Sequence, residues 1–526
     1  MITVFSAASV VTVDDEMSTA QAVAVQDGLI VAVGSLHDVI ADLGDRVHTV
    51  DNTFAESVML PGLIDQHLHP ILGATTLATE VIATEDWVLP DRSYPAAHSN
   101  AEYIEKLSEA GERMRVDGAA DDEWLFSWGY HQLWHGELNR HVLDSVSATR
   151  PIGVWQRSCH EFYLNTVGLQ ALGILDDGWG EGVDPEVLAT ADIESGHFWE
   201  RGFFNLLFRL LAPMLFSPER LERGLRQMVR YLHQNGVTAF NEPGAILVPG
   251  AWEMYQQILG DDDTPFFSYF LTDGRGPAEQ LMPHDETLAR AEKQFQMAPD
   301  GTPGTGKLAF YPKQVKLFAD GAIISQLMQM KDPYLDREGN PNPHHHGEWI
   351  LTPEMFEERT KLYWEAGFQI HIHVNGDLGL EVVLDTIERR MQEHPRIDHR
   401  TVIVHFANST EAQIDRIDKL RCVVSSNPYY PVGFADKFGE VGKIANFTIV
   451  DQNPLTVAPL DLDGIAVIGT VFQGRWFPVP AGVAGRASLA TTRGPGALAS
   501  ITDPGGAGCI CDVAREIMRA IADNAA

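Results

Sequence analysis

The alternation of hydrophobic and polar positions divides the chain near residue 61. Before that point, short β-branched runs such as Val23–Val25 and Ile30–Val33 are separated by turns. Between these two runs stands Asp27-Gly28, a dipeptide that favours a two-residue hairpin because both central residues need positive φ. The pattern predicts a small sheet over the first 60 residues, with a further strand at Val47–Val50.

From residue 61 onwards, apolar runs of strand length alternate with amphipathic segments. Leu380, Leu384 and Ile387 recur at the spacing of one helical face, and Ser409 or Thr410 is suited to cap a later helix. Strands that alternate with such helices imply parallel pairing in a covered sheet or barrel. We predict seven strands, at Gly62–Asp65, Val237–Asn241, Phe266–Leu271, Gln314–Phe318, Gln369–Val374, Thr401–Phe406 and Cys422–Ser425.

A long insertion, at about 75–235, separates the first two of these strands. Its length predicts a lid or a substrate-shaping subdomain. Short β runs return after about residue 440, so the two chain ends, 1–60 and 440–480, are predicted to build one small β-sandwich domain. The barrel would occupy 61–439. The Gly/Ala-rich tail, 481–526, is predicted to be flexible up to a terminal helix.

The composition is strongly acidic. Thirty-eight basic residues against 73 acidic ones give a net charge of −35, which repels phosphate backbones and anionic lipid. We therefore expect no nucleic acid and no membrane as partners. The first residues lack the basic segment of a signal peptide, and no run of about 18 apolar residues occurs, so we expect a cytoplasmic protein. Four cysteines in 526 residues do not make a disulfide framework.

Histidines follow three of the predicted strands. P-G-L-I-D-Q-H-L-H-P places His67 and His69 just beyond the first barrel strand, and residues two apart in extended chain point the same way. His373, in F-Q-I-H-I-H-V, and His405, in T-V-I-V-H-F, end two later strands, while His371 lies one layer deeper. The carboxyl ends of the strands form the active-site face of a (β/α) barrel. The set therefore predicts a metal site, although each histidine alone is equally well explained as a hydrogen-bonded core residue.

Lys316 stands inside a strand of otherwise apolar character, Q-V-K-L-F-A-D-G. Burial of a cationic lysine is costly. A neutral amine, by contrast, is able to capture carbon dioxide as a carbamate whose oxygens bridge two cations. A lysine that extends to the barrel rim, or that pairs with Asp320, explains the residue equally well. These alternatives stay open from the sequence alone.

Several motifs, taken in this order, resemble the amidohydrolase superfamily, and specifically amidohydrolase family 3, the YtcJ-like metal-dependent hydrolases. The motifs are P-G-L-I-D-Q-H-L-H, C-H-E-F-Y-L-N-T-V-G-L, K-L-F-A-D-G-A, H-V-N-G-D, V-H-F and V-G-K-I-A-N-F-T-I-V-D-Q-N-P-L. The resemblance implies an α/β fold, a (β/α)8-type TIM barrel beside a small β-sandwich built from both chain ends. It also implies a bridging carboxylated lysine at Lys316, a place near the substrate pocket for His160, and metal ligation by His67, His69, His373 and His405.

The resemblance further implies a hydrolase that cleaves carbon–nitrogen bonds other than peptide bonds in a small, amide-like substrate. The implied cofactor is a divalent metal, zinc, as one or two ions that polarise the carbonyl and lower the pKa of a water molecule. Family members carry an aspartate after the eighth strand that transfers the proton to the leaving nitrogen. The sequence does not fix the oligomeric state, and a homodimer stays open.

The expected eighth strand and its aspartate are missing from this sequence. About 15 residues separate the seventh strand from the returning β runs, whereas a strand with its helix needs about 20 or more. Three explanations stay open: a segment omitted between Phe438 and Val441, a real loss in a catalytically degenerate binding protein, or Asp436 as a substitute base. An open seven-stranded barrel would expose an unpaired edge, which disfavours an uncompensated loss. Within the enzymes, a cyclic amidine deaminase is the other alternative, against which Lys316 argues because that chemistry generally needs one metal ion.

Overall fold

The computed structural model describes residues 1–14, 18–199, 202–245, 250–275, 307–323, 327–335 and 339–427, and the backbone of three later strands. Asp436, the junction between Phe438 and Val441 at which an omitted segment is one of the open explanations, and the predicted tail lie outside these residues. The chain divides into two compact units, Met1–Asp65 with Leu232–Phe240, and Gln66–Tyr231 with the residues from Asn241 onwards. Among the described residues, no helix has the length and apolar character needed to span a bilayer.

The N-terminal part of the chain forms a four-stranded sheet, which confirms the small sheet predicted for the first 60 residues. Asp27 and Gly28 have φ values of 53° and 78° and join two antiparallel strands, so the predicted hairpin is confirmed. The elements are β1 (Ile2–Val11), β2 (Thr19–Gln26), β3 (Leu29–Gly34), α1 (Leu36–Leu43) and β4 (His48–Met59), in the sheet order β3-β2-β1-β4. The short strand β5 (Leu63–Asp65) follows.

The insertion builds its own sheet. The apolar runs Trp124–Trp128 and Ile152–Trp155 fall on two parallel neighbours in it, and aromatic side chains such as Trp155, Phe162 and Phe203 form its buried core. Its elements are α2 (Pro70–Leu77), β6 (Glu80–Val81), β7 (Trp87–Val88), β8 (Ser93–Tyr94), α3 (Asn100–Val116), β9 (Leu125–Tyr130), α4 (Gln132–His135), α5 (Arg140–Val146), β10 (Ile152–Gln156), β11 (Glu161–Leu164), α6 (Thr166–Ala171), α7 (Pro185–Leu188), β12 (Ala191–Asp192), β13 (His197–Trp199), a π-helix (Gly202–Leu207), α8 (Phe208–Leu215) and α9 (Pro218–Gln234). The order of the main sheet is β12-β13-β11-β10-β9-β6.

The largest sheet contains all seven predicted barrel strands. Its elements beyond β5 are β14 (Val237–Ala245), α10 (Ala251–Ile258), β15 (Phe267–Asp273), β16 (Leu308–Phe318), α11 (Pro353–Glu365), β17 (Gln369–Val374), α12 (Asp377–Glu393), β18 (Val402–His405), α13 (Glu411–Leu420) and β19 (Val423–Ser426). The strand order is β5-β14-β15-β16-β17-β18-β19, and the pairings described in it are parallel. Sheet and helices form a mixed α/β fold in which the parallel sheet curls into a half-barrel.

Strand alternation separates two layers in this sheet. Val315, Leu317, Ile370 and Ile372 face outwards, where they pack with α11 and α12 in one buried apolar cluster. The positions between them, beginning with Lys316, face the inside of the curl because successive side chains point to opposite faces of a strand. The inner face therefore carries the chemically reactive side chains and the outer face carries the core.

The predicted helices of this region are confirmed. Leu380, Leu384 and Ile387 are buried on one face of α12. Of the two candidate caps, Thr410 is the residue at the start of α13, where its side chain accepts the Gln413 N–H and the Gln413 side chain returns to the cap backbone. This capping box fixes where α13 begins, and therefore how the chain leaves the end of β18.

Three strands at the carboxyl-terminal end form a separate antiparallel sheet, β20 (Phe447–Val450), β21 (Val467–Phe472) and β22 (Arg475–Pro478). Their presence agrees with the β runs predicted after residue 440. The β-sandwich of both chain ends, with the domain boundaries given above, stays a prediction. An eighth barrel strand is not among the described residues.

Candidate metal centre

Histidine rings from three segments of the chain meet inside the curl of the large sheet. The ring centroids of His67 and His405 are 4.6 Å apart, and those of His373 and His405 are 4.5 Å apart. His67 also meets His69 edge to face at 5.2 Å. His67 follows the first strand of the sheet order and His405 ends the sixth, so a flat sheet would hold them about 24 Å apart. Curling of the sheet brings together residues that are 338 positions apart in the sequence.

Two hydrogen bonds to the end of β14 hold the loop that carries the first two histidines. The Leu68 N–H donates to the Asn241 carbonyl oxygen at 3.0 Å, and the Asn241 side-chain amide donates to the Gln66 carbonyl oxygen at 3.2 Å. These bonds continue strand-like pairing beyond β5. They fix the backbone on both sides of His67, so that His67 and His69 leave the chain in defined directions.

His405 enters the curl because the backbone of β18 breaks its alternation. In the register, Val404 lies beside the inward-facing His373, so regular alternation would turn His405 outwards. Instead, His405 and Phe406 have φ values of 73° and 51°. His405 contacts the inner rings, and Phe406 packs against the outer apolar cluster. A left-handed conformation costs a non-glycine residue about 1–2 kcal/mol, and such strain concentrates at functional sites.

Lys316 is fully buried, with 0% of its surface exposed, which overturns the alternative of a lysine that extends to the rim. Its α-carbon lies beside that of His371, one layer below His373, and its amine lies 5.4 Å from the centroid of the Phe318 ring. The positive charge of Lys316 is among the causes that lower the pKa of His67 and that of His405. Lys316 therefore belongs to the same cluster as the histidines.

The Asp320 carboxylate is committed to backbone donors. Its Oδ1 accepts the Asn375 N–H at 2.9 Å, while Oδ2 accepts the N–H groups of Gly376 at 2.7 Å and Gln329 at 2.9 Å. Burial raises the pKa of Asp320 to about 7, against the effect of these donors. The carboxylate thus ties the loop after β16 to the loop after β17.

The same two loops also contact His373, which is 2% exposed. The Asn375 side-chain amide donates to the Gly321 carbonyl at 3.0 Å and lies 3.0 Å from His373 Nε2. His373 Nδ1 is a buried nitrogen without a hydrogen-bond partner among the described residues. His373 Nε2 also lies 3.5 Å from the Gly321 carbonyl oxygen, and in the tautomer that carries its proton on Nε2 the Nδ1 atom keeps the lone pair that a metal ligand requires.

His371 has a different role from its neighbour. Its Nε2 lies 3.1 Å from the side-chain oxygen of Gln314, so the ring is hydrogen-bonded below the cluster. Burial, with the charge of Lys316, lowers the pKa of His371 to about 3. The prediction that His371 lies one layer deeper is confirmed by the register.

The environment keeps two of the gathered imidazoles neutral. Removal from water, with the nearby positive charges of Lys316 and other histidines, lowers the pKa of His67 and that of His405 well below the ordinary value. A neutral imidazole retains the lone pair that binds a metal ion. The donor set, four imidazoles and a buried amine, fits a divalent cation of the zinc type.

The ligand atoms do not yet converge on one point. Within the part of the chain that the structure describes, no three His, Cys, Asp or Glu side chains form a ready coordination shell. Ring centroids 4.5–5.2 Å apart are in contact, whereas a metal ion needs nitrogens at about 2.0–2.1 Å from one centre. The arrangement is therefore a gathered set of rings rather than a formed coordination shell.

Glu242 is a site residue that the sequence analysis missed. It stands on β14, 4% exposed, with Oε1 3.5 Å from His69 Nδ1. Burial raises the pKa of this carboxyl, and His69 is the neighbour that opposes the rise. An acidic residue directly after the predicted strand Val237–Asn241 was the signal available, since it occupies the same carboxyl edge as the histidines.

His160 lies in the other sheet, at the turn between β10 and β11. It is 2% exposed, follows Cys159, whose φ is 66°, and its N–H donates to Ser158 Oγ at 3.2 Å. The structure gathers His67, His69, His373, His405 and Lys316 as predicted neighbours. The placement of His160 near a substrate pocket stays a prediction.

Comparison with known families decides the identity of the fold. The family described as "Amidohydrolase family" matches residues 55–439. This chain belongs to the amidohydrolase family. Membership makes it a hydrolase of amidohydrolase family 3 and points to a divalent metal as its cofactor. The matched range ends beside the discontinuity expected between Phe438 and Val441.

Individual relatives agree with this assignment. The chain is 24% identical over 430 residues to "Putative amidohydrolase YtcJ" of Bacillus subtilis (strain 168), which covers 79% of this chain and 71% of that protein. It is 22% identical over 449 residues to "N-substituted formamide deformylase" of Arthrobacter pascens, covering 82% and 73%. A crystal structure of an uncharacterized metal-dependent hydrolase from Pyrococcus horikoshii OT3 superposes with a TM-score of 0.58 at 16% identity, covering 84% and 78%. This last likeness shows the shared fold.

Proposed function

We propose that this amidohydrolase uses a divalent metal, zinc, to cleave a carbon–nitrogen bond other than a peptide bond in a small amide-like substrate. The observation that carries the proposal is the contact of the His67, His373 and His405 rings beside the buried Lys316. A relative whose name says that it deformylates N-substituted formamides supports a carbon–nitrogen bond as the target. The proposed partner is a small-molecule substrate; nucleic acids and membranes are not proposed as partners, and a homodimer remains open.

Each residue of the cluster has a proposed role. A bound divalent ion supplies a Lewis acid that polarises the substrate carbonyl and acidifies water. The four histidines would hold it through their ring nitrogens, and the burial of His69, His373 and His405 limits the access of water to the cluster. Asp320 and Asn375 keep the His373 ring in place through the backbone of the loop after β17. The ligand residues are His67, His69, His373 and His405.

Lys316 is proposed to carry a carbamate. The neutral amine attacks carbon dioxide, a nitrogen–carbon bond forms, and one ammonium-type proton leaves to solvent. The product carries a negative charge whose two oxygens are able to bridge two cations. Full burial of Lys316 supports this step because a cation would be costly there, whereas an anion beside metal ions is balanced.

Metal content and turnover test the function together. We expect wild-type protein to carry one or two equivalents of zinc by elemental analysis and to release amine from N-formyl or N-acyl amines of small size. The double variant His67→Ala, His69→Ala should lose both the metal and the turnover. Unchanged metal stoichiometry in that variant would remove the proposed mechanism. Metal binding without turnover of any of the N-formyl and N-acyl amines would instead favour the catalytically degenerate binding protein.

Lys316→Met tests the carbamate. Methionine matches the length and volume of the lysine stem without its charge, so the fold should persist. We expect the variant to lose about 1000-fold or more in kcat/KM, which corresponds to about 4 kcal/mol of transition-state stabilisation. Wild-type protein exposed to ¹³C-labelled bicarbonate should show a carbamate carbon signal by NMR that is missing from the variant. The same signal in both proteins would contradict the role of Lys316.

A further inference from the structure

Glu242 is buried in a place where a carboxylate is expensive. Its side chain is 5% exposed and stands near the carboxyl end of β14. Its Oε2 has no hydrogen-bond partner among the described residues. Burial of an uncompensated carboxylate costs several kcal/mol. A buried carboxylate of this kind needs a positively polarised neighbour to explain its presence.

The neighbour is His69. The Nδ1 atom of His69 lies 3.5 Å from Oε1 of Glu242, with both side chains 5% exposed. An ordinary N–H···O bond spans about 2.7–3.2 Å, so a shift of about 0.5 Å completes it. The Nδ1 atom faces the carboxylate, and the same ring meets the His67 ring edge to face. The ring thus lies between Glu242 and the histidine cluster.

The backbone around Glu242 has little freedom. On one side, Asn241 is tied to Leu68 and Gln66 as described above. On the other side, a methyl group placed on Gly244 would lie 3.3 Å from Phe318 Cζ and 3.5 Å from Lys316 Cγ. The end of β14 therefore packs closely against the strand that carries the lysine. The backbone on both sides of Glu242 is thus held by contacts within the fold.

We propose that Glu242 is the positioning residue of the metal centre, whose carboxylate accepts the Nδ1–H of His69 and thereby presents Nε2 to the ion. A carboxylate on the far nitrogen fixes the tautomer and orientation of a ligating histidine and makes it more basic. The negative charge also compensates the charge of the bound cation. This inference rests on the proposed function, since it requires a metal at His69.

Glu242→Gln is the central variant, because glutamine keeps the shape and removes the charge and the strong acceptor. The affinity for Zn²⁺ is measured by titration against a chromogenic chelator. We expect the variant to bind about 10–100-fold more weakly than wild-type protein, in line with the cost of removing an outer partner of a ligating histidine. Glu242→Asp, which keeps the charge on a shorter stem, should fall between the two. Equal affinities of all three proteins would overturn the proposal.

A double-mutant cycle shows whether Glu242 acts through His69. In a His69→Ala background, Glu242→Gln should cause no further loss of Zn²⁺ affinity, since the ring that it positions is gone. Additive losses would mean that the carboxylate binds the ion itself and would overturn the positioning role. The d–d absorption of Co²⁺-substituted protein gives a second measure, because Glu242→Gln should change the band positions while His69 still ligates. Unchanged bands would count against the proposal.

A matched control exists in the insertion. His197 Nε2 lies 2.9 Å from Glu161 Oε2, another buried carboxylate beside a histidine. Glu161→Gln should leave Zn²⁺ affinity within about twofold of wild type while it lowers the unfolding temperature. An equal loss in both variants would show a general effect of destabilisation and overturn the specific role. Wild-type protein that binds no Zn²⁺ would overturn the metal centre itself, whereas a wild type that binds and a Glu242→Gln that binds equally would overturn this inference alone.

Discussion

Two sets of buried histidines follow parallel strands in this chain, one inside the large sheet and one in the insertion, and they differ in how their nitrogens are used. In the insertion, His135 Nδ1 accepts the His131 N–H at 2.9 Å, and its Nε2 lies 2.9 Å from the Ala97 carbonyl oxygen. Both nitrogens of this ring are occupied. In the large sheet, His373 Nδ1 has no hydrogen-bond partner among the described residues.

The difference separates a structural histidine from a candidate ligand better than burial does. Both rings are buried and both stand near the carboxyl end of a strand. A ring whose two nitrogens both complete backbone hydrogen bonds has nothing left for a cation, whereas His373 offers the lone pair of Nδ1 in the tautomer that is protonated at Nε2. Two residues before His373 on the same strand, the His371 ring is engaged by Gln314, whose side-chain oxygen lies 3.1 Å from its Nε2.

The strongest test of this comparison is to replace His373 and His135, one at a time, by alanine. His373→Ala should abolish tight zinc binding with little change in the stability of the metal-free protein. His135→Ala should keep the metal but lower the unfolding free energy by about 2–5 kcal/mol, because the Ala97 carbonyl and the His131 N–H lose their partner. Urea unfolding with elemental analysis measures both. Metal loss from the His135 variant, with His373→Ala intact, would reverse the assignment.

The variant Asp320→Asn tests whether a buried carboxylate that is fully hydrogen-bonded to the backbone has a structural role, as His135 does among the histidines. The amide nitrogen of asparagine would face backbone N–H groups of Gln329, Asn375 or Gly376 instead of accepting from them. We expect a loss of about 2–4 kcal/mol in unfolding free energy, since hydrogen bonds to a charged acceptor are worth more than neutral ones. Chemical denaturation of the metal-free protein measures the change. A stability equal to that of wild type would show that the two loops do not depend on this carboxylate.

The pH dependence of the unfolding free energy should reveal the lowered pKa of a buried histidine in the insertion. Burial lowers the pKa of His135 to about 4, below the 6.5 of an ordinary histidine. Between these values the unfolded chain binds a proton that the folded chain refuses, so the unfolding free energy falls as the pH is lowered from 6.5 towards 4. For this one residue the fall is about 2–3 kcal/mol at most. Denaturation at several pH values should show a shallower slope in His135→Gln, and an unchanged slope would contradict the assignment.

The smallest expected effect concerns the backbone of His405. At a φ of 73°, glycine pays no steric penalty and alanine does. In metal-free protein, His405→Gly should therefore be about 1 kcal/mol more stable than His405→Ala. Both variants lose the ligand, so the pair isolates the strain from the chemistry. A more stable alanine variant would show that the left-handed turn is not imposed by the fold.

The strands and helices of the large sheet were predictable because hydrophobic periodicity records them locally. All seven predicted strands and the helix around Leu384 are confirmed. The contact of His67 with His405 was predictable as a consequence of barrel topology, which places strand ends at one rim. The sequence offered Ser409 and Thr410 as caps of the last helix of this region. The hydrogen bond between Thr410 and Gln413 in the structure shows that Thr410 is the cap.

Other features depend on contacts that no local pattern records. The inward turn of His405 arises from two consecutive left-handed residues, and histidine and phenylalanine give no signal for them. The partner of Glu242 is His69, 173 positions earlier in the chain. The local run F-N-E-P-G therefore could not predict that Glu242 is buried beside a histidine. The insertion sheet was visible only as two apolar runs, since its order depends on pairing between distant segments.

The most direct test of the metal centre is anomalous diffraction from crystals of the zinc-loaded protein, measured on both sides of the zinc absorption edge. We predict a peak whose centre lies about 2.0–2.2 Å from imidazole nitrogens of His67, His69, His373 and His405. A zinc peak bound elsewhere, for example at the histidine run His344–His346, with the four rings left as separate side chains, would contradict the account.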